Sequence, residues 1–410
     1  MKKLYLATLV SALSVSAFAA PAPADLSSDT TVSTKGGFEI KNDLFSAKLG
    51  ARIHFDGRYI NEEDDLSPTS QATNSTTSFR RARITLEGKA YGWGYKFEND
   101  FAGQSGTTGS GFREMWISTQ LMDHNVRFGQ AKPYRGMEEL TSSNEITFME
   151  RPFATASGLY EGRQYQQGVF VDTAAKMGEM DYGYGMAVYN TRSAAGAATQ
   201  GLGYNLRGYV APINANGQTL HIGLSGSSDR NPLNGATPTA APTNSFATGA
   251  GVVRGALSQA ISGNAIQQDA YALELAYMNG PFSTQLEYAT ADHEFAGTTV
   301  SQKVDTGYVQ ASFFVTDHAR KYDAKKGVFK SPSVNAGAGA IELKARYDMM
   351  ENKDSNAEAV QYTVGANYYI NGNTRVMFEY VDGTATAASP TNKGVERDAS
   401  AIQTRLQFAF

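Results

Sequence analysis

The sequence predicts an all-β protein, a transmembrane antiparallel β-barrel of about sixteen strands. Three observations carry this reading. Apolar and ionisable residues alternate with period two, short and long connections alternate along the chain, and the last alternating stretch runs to the final residue.

Alternate side chains of a strand face opposite sides. From Ala47 to Tyr59 one face carries Ala47, Leu49, Ala51, Ile53, Phe55, Gly57 and Tyr59, and the other Lys48, Gly50, Arg52, His54, Asp56 and Arg58. Every ionisable group falls on one side. Arg81, Arg83, Thr85 and Glu87 alternate in the same way with Ala82, Ile84 and Leu86, as do Glu342, Lys344, Arg346 and Asp348 with Ile341, Leu343, Ala345 and Tyr347. A soluble sandwich alternates too, with its polar side outward, so period two alone does not choose between sandwich and barrel.

Number, spacing and terminus make the choice. Strands are expected near 46–60, 79–89, 91–102, 112–119, 124–131, 163–173, 180–190, 202–211, 218–228, 268–278, 281–291, 304–316, 338–349, 360–370, 374–382 and 399–410. That even number lies where barrels enclose water. Lys89-Ala90, Asn279-Gly280 and Asn371-Gly372-Asn373 read as tight turns, against longer polar loops near 61–78, 132–162, 229–267 and 383–398. Segment 317–335 departs from this scheme, being long on the short-turn side. The chain ends with Ile402, Thr404, Leu406, Phe408 and Phe410 on one face. A soluble edge so exposed would invite aggregation, whereas a barrel pairs it with the first strand. Aromatics near strand ends (Tyr91 and Trp93, Tyr182 and Tyr184, Tyr368 and Tyr369) suit interfacial girdles.

Composition excludes several classes. The chain has no cysteine, so no disulfide framework and no thiolate chemistry. With 22 tyrosines, 21 phenylalanines and 41 glycines against 12 prolines, it fits a barrel better than several soluble domains. Residues 1–19 read as a signal peptide: Lys2 and Lys3, an apolar run from Leu4 to Leu13, then Ala17-Phe18-Ala19. Its loss removes two lysines and takes the formal net charge from −4 to −6, which argues against a nucleic-acid partner. Residues 20–45 read as a periplasmic N-terminal extension and 46–410 as the barrel.

Several blocks occur in an order that resembles one family. They include Phe79-Arg80-Arg81-Ala82-Arg83, then Val126-Arg127-Phe128-Gly129-Gln130-Ala131-Lys132-Pro133, Gly136-Met137-Glu138-Glu139-Leu140 and Thr147-Phe148-Met149-Glu150-Arg151. Gly280-Pro281-Phe282-Ser283 and Gly365-Ala366-Asn367-Tyr368-Tyr369 follow. From about residue 40 to the end the chain is similar to the phosphate-selective porin O and P family. The resemblance implies a trimeric sixteen-stranded porin of the outer membrane, with residues 132–162 folded into the lumen. It implies basic pore-lining residues, among them Arg80, Arg81 and Arg151; separately, the terminal aromatic Phe410 resembles the signal that bacterial barrel-assembly machinery reads. Two positions depart from phosphate-selective members: Glu139 stands where they carry lysine, and the 229–267 loop holds only Arg254 of their arginine ladder.

Strand parity adds Lys48, Arg52, Arg58, Arg81, Arg83, Lys96, Lys344, Arg346 and Arg405 to the lumen face, interleaved with Asp56, Glu87, Glu98, Asp100, Glu342 and Asp348. These could select anions or pair across strands and hydrate the wall. The candidate pore-lining, anion-binding set is Lys48, Arg52, Arg80, Arg81, Arg83, Lys132, Arg135, Arg151 and Arg254, with Arg80, Arg81, Lys132, Arg135 and Arg151 clustered for a modest anion preference. Expected partners are outer-membrane lipid, small anionic or polar solutes and two further copies of the chain. Ala47, Ala51, Gly88 and Ala90 are candidates for packing protomers together. No cofactor or catalytic residue is expected: His54, His124, His221, His293 and His318 sit in no serine-nucleophile or metal-ligand spacing. A calcium site in the acidic run from Glu62 to Asp65 and a wall role for His54 are secondary readings. The alternatives to a passive pore are an outer-membrane hydrolase and an adhesion or structural barrel.

Overall fold

The computed structural model describes residues 30–33, 37–64, 72–102, 111–156, 165–191, 201–230, 265–295, 301–335, 337, 339–354, 357–387 and 395–410. Two short strands, β1 (Thr31–Ser33) and β2 (Phe38–Lys41), come first. The wall begins with β3 (Phe45–Asp64), β4 (Ala72–Ala90), β5 (Trp93–Asp100), β6 (Gly111–Leu121) and β7 (His124–Ala131). It continues through β8 (Gln166–Met177), β9 (Met180–Asn190), β10 (Leu202–Ala215), β11 (Gln218–Arg230), β12 (Ala265–Asn279), β13 (Phe282–Phe295) and β14 (Ser301–Phe314). A small hairpin, β15 (Lys321–Asp323) and β16 (Val328–Lys330), interrupts the wall. The last four wall strands are β17 (Ala340–Asn352), β18 (Ala357–Tyr369), β19 (Thr374–Ala387) and β20 (Val395–Ala409). Each of the sixteen wall strands pairs antiparallel with the next, and β14 pairs directly with β17.

β20 closes the sheet on β3, from Arg397 opposite Asp64 to Ala409 opposite Arg52. Phe410 and Ala51 then exchange backbone hydrogen bonds at 3.0 and 3.1 Å. Beyond that point β3 outruns its partner, and β2 takes over the edge with Phe38 opposite Leu49 and Lys41 opposite Ser46. Part of the segment read as an extension thus satisfies backbone groups that the terminus leaves open. Gly37, at φ 127°, makes the crossing: a Cβ there would lie 2.8 Å from the Leu49 carbonyl oxygen.

Burial is inverted relative to a soluble protein. Along β3, Ile53, Phe55 and Tyr59 are 42, 40 and 54% exposed, whereas His54, Asp56 and Arg58 are 0, 0 and 6% exposed. Leu343, Val364, Phe378, Ile402, Leu406 and Phe408 face outward in the same way. An apolar exterior around a charged interior is the pattern that lipid outside and enclosed water inside demand. Tyr369 departs from the girdle reading. It is 4% exposed and donates to Glu342 at 2.8 Å inside the barrel, because its parity is that of Asn367 and not of Tyr368.

The tight turns lie on one rim. Tyr91-Gly92 and Asn216-Gly217 place both residues at positive φ, the conformation that matches strand twist in a two-residue hairpin. The first of these replaces the expected turn at Lys89-Ala90, because the ladder continues to Ala90 opposite Trp93. The expected turn at Asn279-Gly280 similarly moves one residue on, with Asn279 still paired to Phe282. On the far rim the strands outrun the apolar band, and β3 and β4 reach Asp64 and Ala72 where a loop was expected over 61–78. The long segment after β14 does belong to the short-turn rim. It folds back inside the barrel and carries β15 and β16.

Candidate functional site: the constricted lumen

After β7 the chain leaves the wall and crosses the lumen. Its described part, residues 132–156, includes single helical turns at Met137–Leu140 and Phe153–Ala156. Inward carboxylates of the wall accept from the loop's backbone. Glu287 accepts from the N–H groups of Met137 and Glu138, Glu379 from Met149 at 2.7 Å, and Asp348 from Phe153 at 2.9 Å. Inward cations donate to its carbonyls: Arg375 to Ile146 at 2.9 Å, Lys344 to Thr147 at 3.0 Å, Arg346 to Glu150 at 2.9 Å, and Arg405 to Met149. A loop with no ladder of its own must find partners for its buried backbone groups. Here the charged rows of β13, β17, β19 and β20 supply them. Those rows are therefore occupied in holding the constriction.

The expected single basic cluster resolves into three groups, each built on an acid. At the first, Glu150 receives Arg80 at 2.8 Å, Arg405 at 3.0 Å and Arg58 at 3.2 Å, while Asp56 pairs with Arg58 and Arg405, both at 2.6 Å. Neighbouring residues of a strand point to opposite faces, yet Arg80 and Arg81 both turn inward. A bulge explains it: Arg81 lies opposite His54 and Phe79 opposite Phe55, so Arg80 is the extra residue. Arg81 lies 3.4 Å from His54 Nδ1 and, among the described residues, has no carboxylate within ion-pair distance. His54 Nε2 lies 3.0 Å from Asn144 Oδ1, which makes it a buried loop anchor and not a hydrated wall residue.

The second group centres on Glu139, which Lys132 meets at 2.6 Å and Arg151 at 3.2 Å. Arg151 also donates to the carbonyls of Glu138 and Thr141. In the third, Arg135 pairs with Asp229 at 2.8 Å and bonds the Tyr189 hydroxyl. The remaining candidates scatter. Arg83 pairs with Glu98 at 2.9 Å and Asp100 at 2.8 Å, and Arg52 with Glu98 at 3.3 Å. Lys48 is half-buried near the short-turn rim. Arg254 and most of its loop lie outside the described residues, as do the side chains of the acidic run from Glu62 to Asp65. Among the described residues no cluster of metal-binding side chains exists.

Burial alone would raise the Glu150 carboxyl, but Arg80, Arg405, Arg81 and Arg58 hold it well below the usual carboxylate range. A depressed carboxyl contributes stability that is complete above its unfolded value and is lost only as pH falls through its folded one. The loop clamp should therefore persist from neutral pH to about pH 4. Single-channel conductance recorded across that range at constant salt should show no step, and a sharp opening near pH 5 would contradict it.

The segment from the short-turn rim meets the constriction loop inside. Arg320 bonds the Thr147 hydroxyl and the Glu145 carbonyl, and the Ser331 N–H donates to the Glu145 carboxylate at 2.5 Å. Val328 and Phe329 pack with Met137, Ala276 and Met278. Arg207 is tied to Glu274 at 2.7 Å and to the carbonyls of Lys326 and Gly327, each at 2.8 Å. Between the β4–β10 wall, the loop and this hairpin remains a cavity of about 340 Å³. It is lined by Lys96, Glu114, Trp116, Arg127, Lys325 and Lys326 among others.

Sequence reasoning missed Arg127, Arg207, Arg320, Arg375, Lys325 and Lys326. Parity could have found three of them, since Arg127 alternates with Val126 and Phe128, Arg207 with Leu206, and Arg375 shares the face of Glu379. The other three sit in a segment that reads as an overlong turn, and nothing local signals that it enters the barrel.

The family model of phosphate-selective porin O and P matches residues 47–410. Porin O of Pseudomonas aeruginosa is 27% identical over 439 residues, covering 98% of this chain and 97% of that protein. Among solved structures, a loop L8 deletion mutant of OmpT, an outer membrane protein of Vibrio cholerae, is similar with a TM-score of 0.56 at 13% identity. It covers 90% of this chain and 100% of that one. The outer membrane channel DcaP of Acinetobacter baumannii follows with a TM-score of 0.55 at 12% identity, covering 92% and 100%. Identities that low bear on the fold, which they place among outer-membrane barrels. The chain belongs to the phosphate-selective porin O and P family and is a porin of the outer membrane.

Proposed function

We propose that the barrel passes small hydrophilic solutes passively, with a modest preference for anions. The observation that supports it is Arg81, which among the described residues has no carboxylate within ion-pair distance and lies beside Arg58, Arg80 and Arg405 where these gather on Glu150 and Asp56. An uncompensated guanidinium beside a narrow aqueous path favours anions through its field even when it is buried. The preference is modest because most other lumen cations are neutralised in pairs. Glu139, in particular, offsets one of the two positive charges at Lys132 and Arg151, so strong selection of phosphate over chloride is not expected. The test is a reversal potential under a salt gradient in a planar bilayer. Wild type should be anion-selective, and Arg81→Gln should reduce the permeability ratio about two-fold. A cation-selective wild type would overturn the proposal.

A passive pore is favoured over a hydrolase because three of the histidines are otherwise engaged. Among the described residues His221 meets Tyr322 and Glu274, His124 meets Tyr184, and His54 meets Asn144. The remaining assignments belong to the same reading: residues 1–19 are an export signal, the working form is a homotrimer that packs in part through Ala47, Ala51, Gly88 and Ala90, and Phe410 addresses the assembly machinery.

A further inference from the structure

We propose that the 340 Å³ cavity is a transient docking site for small organic anions, molecules whose acid group is carried on an apolar body. The inference rests on the pore reading above and names a solute class for it. Six cations line the cavity, and four are tied to carboxylates: Arg127 to Asp172 at 3.0 Å, Lys132 to Glu139, Arg207 to Glu274, and Lys96 loosely to Glu87 at 3.7 Å. Lys325 and Lys326 are different. Both are exposed to the cavity, and among the described residues neither ammonium has a carboxylate partner.

Their position is fixed by the hairpin and not left to a floppy loop. The Asp323 carbonyl accepts from the N–H groups of Lys326 at 3.1 Å and Gly327 at 2.8 Å, and the Asp323 carboxylate accepts from Lys325 N–H at 3.1 Å. Gly327 has φ 61°, and a Cβ there would lie 2.8 Å from the Tyr209 ring. Tyr209 itself donates to the Ala324 carbonyl at 2.7 Å. Two paired-free ammonium groups are thus presented at a set place on one wall.

Other parts of the lining are apolar and aromatic. Trp116, whose indole N–H is held by Glu114 at 2.6 Å, and Tyr134 lie with the Arg127 guanidinium 5.7 and 5.4 Å from their ring centroids, and Leu140 comes from the constriction loop. The volume matches a small-molecule site, which typically spans about 300–1,000 Å³, and Trp116, Tyr134, Leu140, Tyr184 and Tyr209 give an apolar and aromatic portion to a lining whose acids, Glu87, Glu114 and Asp172, are outnumbered by its cations. Inorganic phosphate would fill little of it and would leave the rings unused. Lysines, as point charges, also lack the planar fork that singles out phosphate oxygens.

The test compares phenylacetate, phenyl phosphate, acetate and inorganic phosphate as blockers of chloride current through the purified full-length protein in a planar bilayer. Phenylacetate and phenyl phosphate should each reduce the current saturably, and acetate and inorganic phosphate at equal concentration should not. Equal block by the two phenyl compounds assigns recognition to charge plus ring, and block by one alone restricts the class to that acid group. Lys325→Gln/Lys326→Gln should weaken phenylacetate block about ten-fold. Lys330→Gln, on the same hairpin but outside the cavity lining, should leave both phenylacetate block and chloride current in place, which guards against a variant that misassembles. If chloride flows but phenylacetate acts no more strongly than acetate, the docking site is overturned and the pore reading stands. If no current flows at all, the pore reading itself fails.

Discussion

Replacing Lys321–Lys330 by a short glycine-serine link should raise single-channel conductance about two-fold or more. The hairpin it removes contributes Lys325 and Lys326 to the lining of the 340 Å³ cavity and buries Val328 and Phe329 against Met137 and Met278 of the lumen. The wall does not need it. β14 and β17 pair with each other directly, from Phe314 opposite Glu342 to Val304 opposite Asn352, so the ladder stays closed without the insert. Arg320 and Ser331, which flank the excised residues, keep their contacts to Thr147 and Glu145. The constriction loop should therefore stay in place but lose packing beneath Met137, and open-channel noise should rise with conductance. Recordings of wild type and variant at the same salt, with barrel formation checked by gel mobility before and after heating, make the comparison. Unchanged conductance would show that the hairpin lies off the conducting path.

That prediction concerns the part of the molecule least visible in the sequence. The wall was legible because period two is a local property: the Lys48–Arg58 face and the Ala47–Tyr59 face separate in thirteen residues. Closure was legible from the terminal row ending in Phe410, since that row has no soluble explanation. Strand ends were less so, because the ladders extend past the apolar band with threonine and serine, and two of the tight turns sit one or two residues beyond their apparent signals. Glu342, Lys344 and Arg346 were correctly placed inside, yet parity gives only a direction. Whether an inward charge faces water or a loop carbonyl depends on residues 132–156, brought across the lumen from more than 180 positions away. The bulge that turns both Arg80 and Arg81 inward is likewise set by the pairing of β3 with β4 and leaves no mark in the pair itself.

Arg405 shows how much one such inward charge can hold, and Arg405→Met is expected to cost about 3–5 kcal/mol of stability. Arg405 stands directly opposite Asp56 across the seam where the last strand meets the first. Its guanidinium reaches the two Asp56 oxygens at 2.6 and 2.7 Å and Glu150 at 3.0 Å, and donates to the Met149 carbonyl. One side chain therefore ties the closing seam to the constriction loop. With methionine there, Asp56 and Glu150 remain buried and lose a shared cation, which is the costly case for an ion pair, since removing one partner leaves charge uncompensated. Arg58 and Arg80 still reach these acids and should limit the loss. Arg405→Lys should recover less than half, because an ammonium cannot bridge two carboxylates as a planar fork does. Guanidinium unfolding in detergent, followed by tryptophan fluorescence and gel mobility, gives the stability. Bilayer recordings should show a flickering open level as the Met149–Glu150 stretch loosens. A stability change under about 1 kcal/mol would mean that the neighbouring arginines carry the seam without it.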